Sequence, residues 1–355
     1  MAAHDGGDAN PMTPALVKLV AGEHLNDHEI ESAAGHMLEG KASDVEMAGF
    51  IVALRTKGEM SSELAALVRT MLRFSTPVSV PPGAIDTCGT GGDRAGSFNV
   101  STVAALVAAG AGARVVKHGN RAQSRRCGSA DVLEALGIPV ELEPDAVARC
   151  VDEAGVGFCF AQKYHPALRF LGPVRRALGV QTTFNFLGPL ANPARVTRQV
   201  VGVSDPAMAS RVLDVLVANG AEHVVVVHGD DGLAELTTTT TSQVWEWEGG
   251  ERRHYTLDAT KLGLPRVELA ALAGGDAMAN AAITNRVLAG DGGAPRDVVV
   301  LNAAAAIRVA GIADDMVDAV DAARTAIDNG AAADVLERWR AVATGASMAT
   351  STENS

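Results

Sequence analysis

A glycine-rich loop between a short apolar strand and a buried helix constrains the fold of this chain more than any other segment. The loop covers residues 86–102 and reads DTCGTGGDRAGSFNVST. Gly89, Gly91 and Gly92 allow positive φ angles and leave successive backbone N–H groups uncovered, which creates a concave anion site. The Ala- and Val-rich residues 103–109 that follow have the composition of a buried helix. A glycine loop that leads into a helix N-terminus predicts a phosphate-binding turn.

The loop fits neither of the two common nucleotide-binding patterns. The dinucleotide pattern requires a third glycine at the position of Arg94 and an acidic residue about 20 positions further on. The triphosphate pattern requires Gly-Lys-Ser/Thr at the end of the loop, and no such tripeptide follows. A tight turn that holds glycine only for its geometry is the structural alternative. Four polar side chains in the same loop favour binding, and they belong to Asp93, Asn99, Ser101 and Thr102.

The composition favours a large core of helices and parallel strands. With 355 residues the chain is long enough for two domains. Hydrophobic residues make up 47% and aromatic residues 4% of the chain, so the core is expected to consist of Ala, Val and Leu. The net charge of -12 argues against a general nucleic-acid binder, which depends on a basic surface, but it leaves room for a local basic pocket.

Cysteine spacing and apolar runs predict a cytoplasmic protein without a membrane anchor. The four cysteines form no C-x-x-C pair, so neither a zinc site nor a redox motif is indicated, and a reducing compartment is expected. No apolar run reaches the roughly 18 residues that a membrane span requires. Neither nucleic acid nor a membrane is therefore expected as a partner.

Helix signals dominate the N-terminal part of the chain. Residues 1–12 are acidic and glycine-rich, and we expect them to be disordered. Ser43 and Glu46 fit a capping box that precedes apolar residues at helical spacing. A proline-rich crossing over residues 75–83 is the best candidate for a hinge. These signals predict a helical domain over residues 13–76.

Strand and helix patterns alternate over residues 84–343, which predicts an α/β domain with a central, mostly parallel sheet flanked by helices. Residues 344–355 are rich in small polar side chains and are expected to form a disordered tail. The first predicted strand begins at residue 85. Further strands are predicted at 114–117, 155–161, 198–203 and 222–228, and a more exposed antiparallel strand is predicted at 243–248. The predicted helices cover 130–136, 145–153 and 206–218, and the Ala-rich segment from about 267 to 343 is predicted to be helical.

Three of the predicted strands lead into loops with unusual residues. These loops cover residues 89–101, 118–129 and 229–241. In open α/β sheets, ligands bind beyond the carboxyl ends of the strands. We therefore expect the three loops to converge on one site, an expectation that requires the three strands to be neighbours.

The second loop concentrates positive charge in an otherwise acidic protein. Such a cluster can neutralise phosphate groups, and a solvated basic loop is the alternative. Ser129 at the end of the loop is expected to cap the next helix. The basic residues are Lys117, Arg121, Arg125 and Arg126.

Five segments together resemble the anthranilate phosphoribosyltransferase family. The similarity extends from about residue 13 to residue 342. It implies transfer of the 5-phosphoribosyl group from phosphoribosyl diphosphate (PRPP) to anthranilate in tryptophan biosynthesis, with one or two Mg²⁺ ions per subunit. The segments are GTGGD at 89–93, NVST at 99–102, KHGNRA at 117–122, FNFLGPLANP at 184–193 and LNAAAA at 301–306.

The resemblance also implies the architecture. It consists of a small all-helical domain and a larger α/β domain, here residues 84–343, that binds PRPP. Helices from about residues 165–193 are implied to pack on the helical domain, and two subunits are implied to form a homodimer through that domain.

The resemblance implies binding roles in the first two loops. Gly89, Gly92 and Asp93 would meet the diphosphate, and Lys117 would pair with phosphate oxygens. The segment 121–129 would close over the donor. The residues implied in PRPP binding are Gly89, Gly92, Asp93, Ser97, Asn99, Val100, Ser101, Thr102, Lys117, His118, Gly119, Asn120, Arg121, Ala122, Gln123, Ser124, Arg125 and Ser129.

The acceptor is implied to contact Gly89, Asn120 and Arg175. Arg175 also suits this role by its own chemistry, because a guanidinium fork matches a carboxylate. Its neighbour Arg176 competes for the same role. Residues 164–166, Tyr-His-Pro, would line the acceptor's approach, although ordinary packing at a helix start explains this segment equally well.

The implied reaction requires stabilisation of the leaving group more than it requires a base. Loss of diphosphate leaves positive charge on the ribose, as in glycosyl transfer. Mg²⁺, the backbone amides and Lys117 can stabilise the negative leaving group. Because the aromatic amine is unprotonated at neutral pH, its positioning can suffice. We assign no residue as a catalytic base; His118 is the nearest candidate, and a hydrogen-bonding role is expected for it.

The third loop departs from the family pattern at one position. The family usually has adjacent Asp and Glu residues that bind Mg²⁺, whereas this chain has Ala234 and Glu235. A methyl group cannot ligate a hard cation. A metal held by Ser101 and Glu235 could remain, and the second should bind more weakly unless Asp230, Asp231 or water replaces the missing ligand.

This departure leaves three functions open. The first is an active anthranilate enzyme with weaker binding of the second metal. The second is a related transferase with another aromatic acceptor, and the third is a homologue that binds ligands without turnover. The complete first and second loops favour the enzyme.

Overall fold

The computed structural model describes residues 10–91, 96–122 and 127–353. Its N-terminal part is a bundle of four helices. The capping box predicted at Ser43 and Glu46 is confirmed, because the Glu46 carboxylate accepts from the Ser43 amide at 2.8 Å. The four helices are α1 (Met12–Val20), α2 (Asp27–Leu38), α3 (Asp44–Lys57) and α4 (Ser61–Arg73).

A seven-stranded sheet organises the larger domain, and the predicted α/β fold class is confirmed. The strand order is β3-β2-β1-β4-β5-β6-β7. Strands β1 to β5 pair in parallel, and β6 and β7 pair antiparallel. The strands are β1 (Ile85–Gly89), β2 (Val115–Gly119), β3 (Val156–Phe160), β4 (Arg198–Gly202), β5 (His223–Gly229), β6 (Thr241–Glu248) and β7 (Glu251–Asp258).

The edge strand β7 had no counterpart among the predicted strands. Its first four residues are exposed, and all four are charged or titratable, so the alternation of apolar and polar residues is missing. By contrast, the antiparallel strand predicted at 243–248 is confirmed as part of β6.

Helices cover both faces of the sheet. The helix predicted at 206–218 has the expected bounds, and the helices predicted at 130–136 and 145–153 each begin one residue earlier than expected. A π-helical turn over Cys150–Ala154 completes the helix predicted at 145–153. The helices are α5 (Val100–Gly110), α6 (Ser129–Ala135), α7 (Pro144–Arg149), α8 (Ala161–Tyr164), α9 (Leu171–Leu178), α10 (Phe184–Leu187), α11 (Pro206–Ala218), α12 (Ala277–Leu288), α13 (Ala294–Val309), α14 (Met316–Asp328) and α15 (Ala331–Glu353).

Two hydrophobic cores lie on opposite faces of the sheet. One contains α5 and α13, the Ala- and Val-rich helices that pack against each other. The other joins the N-terminal bundle to residues 171–191, to α11 and to the facing side chains of β4 and β5. The bundle therefore packs on segments of the larger domain through a continuous apolar core.

The two chain ends differ in what can be described. Residues 1–9 lie outside the described part. At the other end α15 continues to Glu353, which corrects the expectation of a disordered tail from residue 344. Alanine favours a helix, the segment has no proline, and Ala346 is buried against the core. None of the described helices has the length and apolar character that crossing a membrane would require.

Strand β4 separates β1 from β5, so the expectation that the three loop-bearing strands are neighbours was wrong. The third loop nevertheless reaches the first, because β4 ends in a glycine. A Cβ on Gly202 would lie 1.7 Å from the backbone oxygen of Ala234. The missing side chain lets the loop after β5 cross the end of β4. This crossing lies where the strand order reverses, between β1 and β4, which is where such sheets bind ligands.

Candidate active site

Segments from both halves of the chain enclose a cavity of about 660 Å³, a size typical of small-molecule sites. The first loop contributes residues 88–91, Asn99, Ser101 and Thr102, and the second contributes 117–122 and 127–129, whereas Val100 is buried in the hydrophobic core and does not line the cavity. Ala234 and Glu235 come from the third loop. On the side of the helical bundle, the lining residues include His165, Leu168, Arg175, Arg176, Gly179, Val180, Gln181, Phe184, Asn185, Phe186, Gly188 and Pro189.

The first loop leaves polar hydrogen-bonding groups unused. Gly91 adopts φ 64°, a left-handed conformation that suits glycine. The hydroxyls of Ser97 and Thr102 are buried and have no hydrogen-bond partner among the described residues. Buried hydroxyls are normally bonded, and Thr102 lines the cavity, so its hydroxyl points to a ligand that supplies the missing partner. Ser97 does not line the cavity. Gly92 and Asp93, both expected to meet the diphosphate, lie outside the described residues.

Asn99 occupies the N-cap position of α5 but makes no side-chain capping bond. Its Nδ2 donates to the backbone oxygen of Cys127 at 3.3 Å, and its Oδ1 accepts from Nδ2 of Asn280 at 2.9 Å. The Asn99 amide thus ties the first loop to the second and to α12. Asn280 escaped the sequence prediction because it lies 181 residues away from Asn99.

Lys117 brings a buried positive charge between the first two loops. Its residue is 3% exposed, and its Nζ donates to the backbone oxygen of Thr87 and to Oγ of Ser101, the latter at 3.2 Å. Asp86 lies buried beside it and accepts from Nδ2 of Asn192 at 2.9 Å. Burial raises the pKa of Asp86, and the charge of Lys117 opposes that rise. The ammonium group is therefore fixed where a phosphate group could reach it.

Two buried histidines lie side by side with ring centroids 5.1 Å apart. Nδ1 of His118 lies 3.0 Å from the oxygen of Gly188, and Nε2 of His165 lies 2.8 Å from the oxygen of Ala191. A carbonyl only accepts, so each of these nitrogens carries a proton. Burial lowers the pKa of His118 to about 3, with a further contribution from His165, and burial lowers that of His165 to about 4. Both rings are neutral near pH 7, and within the described part of the chain Nε2 of His118 is a buried acceptor without a partner.

The second loop is held by α6 in a way that differs from the prediction. Gly128, rather than Ser129, is the N-cap residue. Oδ2 of Asp131 accepts from the amides of Gly128 at 2.7 Å and Ala122 at 3.0 Å, and so performs the capping that was expected of Ser129. Although burial opposes ionisation, these bonds and a nearby guanidinium lower the pKa of Asp131. Glycine can occupy the N-cap because the carboxylate supplies the acceptor.

Arg121 directs its guanidinium towards α6. Its two terminal nitrogens bind the Glu134 carboxylate at 2.5 and 2.7 Å, and one also lies 3.3 Å from Asp131. The hydrogen bonds to Glu134 raise the pKa of Arg121 above its ordinary value. Arg121 still borders the cavity, but its charge is already paired. Gln123, Ser124 and Arg125 lie outside the described residues.

Arg175 and Asn120 both line the cavity, as a role in acceptor binding would require. Arg175 lies on α9, which packs on α3, and within the described residues its guanidinium has no hydrogen bond or ion pair. Partial burial lowers its pKa, whereas Arg176 is exposed. Asn120 Oδ1 accepts from Nε2 of Gln162 at 3.4 Å and from the next backbone amide at 2.8 Å.

Within the segment 164–166, one side chain has a packing role and another lines the cavity. The Tyr164 side chain is buried, and its hydroxyl donates to the oxygen of Leu142 at 2.9 Å. Tyr164 does not line the cavity, so ordinary packing accounts for it. His165 does line the cavity.

The third loop presents one potential metal-binding side chain to the cavity. Glu235 lines the cavity next to Ala234, and Ser101 lines it from the first loop. Asp231 accepts from Oγ1 of Thr237 at 2.6 Å and from the amide of Leu233 at 3.1 Å. Asp230 is exposed and accepts from Nε2 of Gln243 at 3.2 Å. Neither aspartate lines the cavity, so both are turn residues in this structure.

A second group of possible metal ligands lies elsewhere in the described residues, on β5 and β6. Ligand atoms of His223, Glu246 and Glu248 lie within 4.8 Å of one another. Arg308 lies 2.7 Å from Glu248 and also binds Glu246, and Arg253 pairs with both carboxylates. The arginines already neutralise these carboxylates, so the group is a structural ion network.

Sequence reasoning missed the contribution of residues 181–186 to the site. Phe184 and Phe186 were part of a segment that carried the resemblance, yet they were given no role. Their only local signal is an aromatic pair in a chain with few aromatic residues. Gly202 had no signal at all, since its function depends on a loop that crosses it from a distant part of the chain.

The chain matches two family models that cover most of its length. The model described as glycosyl transferase family, a/b domain, matches residues 81–333, and the glycosyl transferase family, helical bundle domain, matches residues 13–75. Anthranilate phosphoribosyltransferase of Nocardioides sp. is 52% identical over 329 residues, which cover 91% of this chain and 96% of that protein. The one of Roseiflexus castenholzii is 47% identical over 330 residues, with coverage of 92% and 97%.

Solved structures show the same similarity in three dimensions. Anthranilate phosphoribosyltransferase of Thermus thermophilus superposes with a TM-score of 0.88 at 41% identity and covers 93% of this chain and 99% of its own. The enzyme of Saccharomyces cerevisiae in complex with PRPP and Mg superposes with a TM-score of 0.87 at 25% identity, with coverage of 96% and 100%.

Proposed function

The chain belongs to the anthranilate phosphoribosyltransferase family, and from that premise we propose that it transfers the 5-phosphoribosyl group of PRPP to anthranilate and releases diphosphate. One observation carries the proposal. A single cavity joins the buried ammonium of Lys117 and the hydroxyl of Thr102 to the guanidinium of Arg175, and neither the hydroxyl nor the guanidinium has a partner among the residues that the structure describes. Such a cavity provides separate places for the phosphates of a donor and the carboxylate of an acceptor.

The donor is proposed to bind at the ends of β1 and β2. Backbone amides of the glycine loop, the Thr102 hydroxyl and Lys117 would bind its phosphate oxygens. As the bond between ribose and diphosphate breaks, negative charge develops on the leaving oxygen. Lys117 is already fixed by Thr87 and Ser101, so little reorganisation is needed to stabilise that charge.

A divalent cation fits the donor atoms that the cavity offers. Mg²⁺ prefers oxygen ligands, and we propose that the Ser101 hydroxyl and the Glu235 carboxylate hold it. When bound, Mg²⁺ neutralises charge on the diphosphate. Because position 234 is alanine, a second ion lacks one protein ligand. Asp230 and Asp231 are hydrogen-bonded in the turn, so neither replaces that ligand.

The acceptor is proposed to bind with its carboxylate on Arg175, near Asn120. The amine nitrogen then attacks the anomeric carbon of the ribose, and its surplus proton leaves to solvent. His118 and His165 are poor bases near neutral pH, because their pKa values are about 3 and about 4, far below the value that general-base catalysis favours. Positioning of the amine is thus the main contribution of this side of the cavity.

The subunit is proposed to form a homodimer through the helical domain. Val17 and Val20 on α1 are 66% and 78% exposed, and Val45 on α3 is 81% exposed. α1 packs on α3, so these valines belong to adjacent helices. Large exposed side chains of this kind mark a surface that another subunit can cover. A cytoplasmic location also stays a prediction, in keeping with four buried, unpaired cysteines.

The test is a diphosphate-release assay with PRPP and Mg²⁺, run with and without anthranilate. The proposed function predicts release that depends on anthranilate and saturates with it. Anthranilate-independent binding of PRPP without turnover would instead indicate the ligand-binding homologue. Turnover with a different aromatic amine but not with anthranilate would indicate the related transferase.

A further inference from the structure

A buried carboxylate joins the helical domain to the cavity wall on the proposed acceptor side. Glu59 lies in the short connection between α3 and α4, and its side chain is 0% exposed. Its Oε1 accepts a hydrogen bond of 2.7 Å from the hydroxyl of Thr183, the residue that immediately precedes α10. The bond links two segments that are 124 residues apart in the chain.

The segment that begins at Thr183 forms part of the cavity wall and depends on tertiary contacts for its conformation. α10 has four residues and no side-chain cap, and a single helical turn is unstable in isolation. Phe184 and Phe186 on α10 line the cavity and are 6% and 4% exposed. Because the helix is too short to be rigid by itself, the orientation of both rings depends on tertiary contacts.

Glu59 is fixed by positive charges from both domains. Arg55 on α3 approaches it to 3.2 Å, and Arg211 on α11 approaches it to 3.7 Å. The Arg55 guanidinium also lies over the ring of Phe186, 5.4 Å from the centroid. The carboxylate therefore forms a fixed anchor for the Thr183 hydroxyl, and Arg55 links that anchor to the aromatic wall.

We propose that Glu59, through Thr183, positions the wall that receives the aromatic ring of the acceptor, and so determines acceptor affinity. This inference rests on the proposed function, which supplies the acceptor. Neither Glu59 nor Thr183 lines the cavity, so both act through the aromatic residues of α10. They are positioning residues rather than catalytic ones.

Thr183→Val tests the link, because it removes the hydroxyl and keeps the side-chain shape. Glu59 retains Arg55 and Arg211, so no unpaired charge is left behind. We expect the KM for anthranilate to rise about tenfold, the typical effect of one lost hydrogen bond to a buried carboxylate. The KM for PRPP should stay within about twofold, since Thr183 directly precedes α10, on the proposed acceptor side of the cavity. Thr183→Ser restores the hydroxyl and should restore the anthranilate KM.

Glu63→Gln is the matched control. Glu63 is also buried in the helical domain, with a side chain 0% exposed and an ion pair to Lys57 at 2.8 Å, but it makes none of the contacts to residues 183–186. Its loss should leave the ratio of the two KM values unchanged. If thermal unfolding shows that the Thr183→Val protein is not folded, Glu59→Gln is measured in its place, and the same selective rise in the anthranilate KM is expected.

Two different results separate this inference from the proposed function. Active wild-type protein whose anthranilate KM is unchanged in both Thr183→Val and Glu59→Gln would overturn the inference alone. The inference alone would also be overturned if the KM values for anthranilate and PRPP rose equally and Glu63→Gln showed the same increases. Wild-type protein without anthranilate-dependent diphosphate release would overturn the proposed function and the inference with it.

Discussion

Arg175 carries a half-buried guanidinium that no described residue neutralises. Burial of an unpaired cation is unfavourable, so the protein tolerates a cost at a position that lines the cavity. A carboxylate ligand would remove that cost and gain two parallel hydrogen bonds. Arg176, one residue further on, also lines the cavity, but it is exposed, so water solvates its charge without a ligand.

Arg175→Ala should therefore raise the KM for anthranilate by at least about tenfold, the typical loss when a charge-assisted hydrogen bond is removed. The KM for PRPP should change by less than about twofold. Steady-state kinetics with each substrate varied in turn measures both values. Arg169→Ala serves as the control, because Arg169 is exposed and does not line the cavity, and it should leave both KM values nearly unchanged. Equal losses for the two substrates in Arg175→Ala would reject the assignment.

A substitution at Ala234 allows a gain-of-function test of Mg²⁺ binding. Ala234→Asp places a second carboxylate beside Glu235, so the Mg²⁺ concentration for half-maximal rate should fall, by about fivefold or more if the new oxygen enters the coordination shell. A titration of rate against Mg²⁺ measures this. Asp230→Asn is the control, because Asp230 does not line the cavity. An unchanged titration curve in Ala234→Asp would show that this position does not contribute to metal binding.

The residue identities at the site were largely readable from the sequence, but the orientations were not. The glycine loop and Lys117 have chemistry that depends on composition and spacing. Arg121 looked equally suited to phosphate, yet Glu134 competes for its guanidinium, and that competitor becomes visible only once α6 is folded. The role of Tyr164 was similarly ambiguous, because only the folded structure shows that its hydroxyl donates to the backbone oxygen of Leu142.

At the scale of elements, the end of β4 decides whether the site can form. Gly202 occupies that end, and the loop after β5 passes directly over it. Any side chain there would displace the loop that carries Glu235. The sequence predicted the strands because their apolar runs are local signals, but it could not predict this crossing, which depends on contact between β4 and a distant loop.

Gly202→Ala should consequently displace the third loop. Its Cβ would lie 1.7 Å from the oxygen of Ala234, and relief of such overpacking typically costs about 1–3 kcal/mol of stability. We also expect the rate to fall at least about tenfold at limiting Mg²⁺, because Glu235 moves with the loop. Thermal unfolding and Mg²⁺ titrations measure the two effects. Gly292→Ala is the control, since a Cβ there meets nothing within 4 Å; a Gly202→Ala protein indistinguishable from it would contradict the crossing.

At the scale of the whole molecule, the shared core connects the two domains across one cavity. Residues 171–191 pack with the helical bundle and also supply the proposed acceptor side. The alternation of strands and helices was sufficient to predict the α/β domain. Packing of 171–191 on the bundle was expected only from the resemblance, because short helices in this segment have weak local signals.

The same bundle presents the surface proposed for dimerisation. Val20→Glu places a charge at a position that is 78% exposed on α1, and burial of that charge in an interface would be costly. We expect the wild type to be a dimer by light scattering and the variant to dissociate at least about tenfold more readily. Ile312→Glu changes an exposed apolar residue far along the chain, 43% exposed, and should stay dimeric. A dimeric Val20→Glu protein would place the interface elsewhere.

One cavity is proposed to hold donor and acceptor together for direct transfer. The most direct measurement is the stoichiometry of a reaction with limiting anthranilate, excess PRPP and Mg²⁺, followed by anthranilate fluorescence, diphosphate release and the mass of the product. We predict one diphosphate released for each anthranilate consumed, and a product whose mass equals anthranilate plus one phosphoribosyl group. Diphosphate release without consumption of anthranilate, or no reaction by folded protein, would contradict the claim.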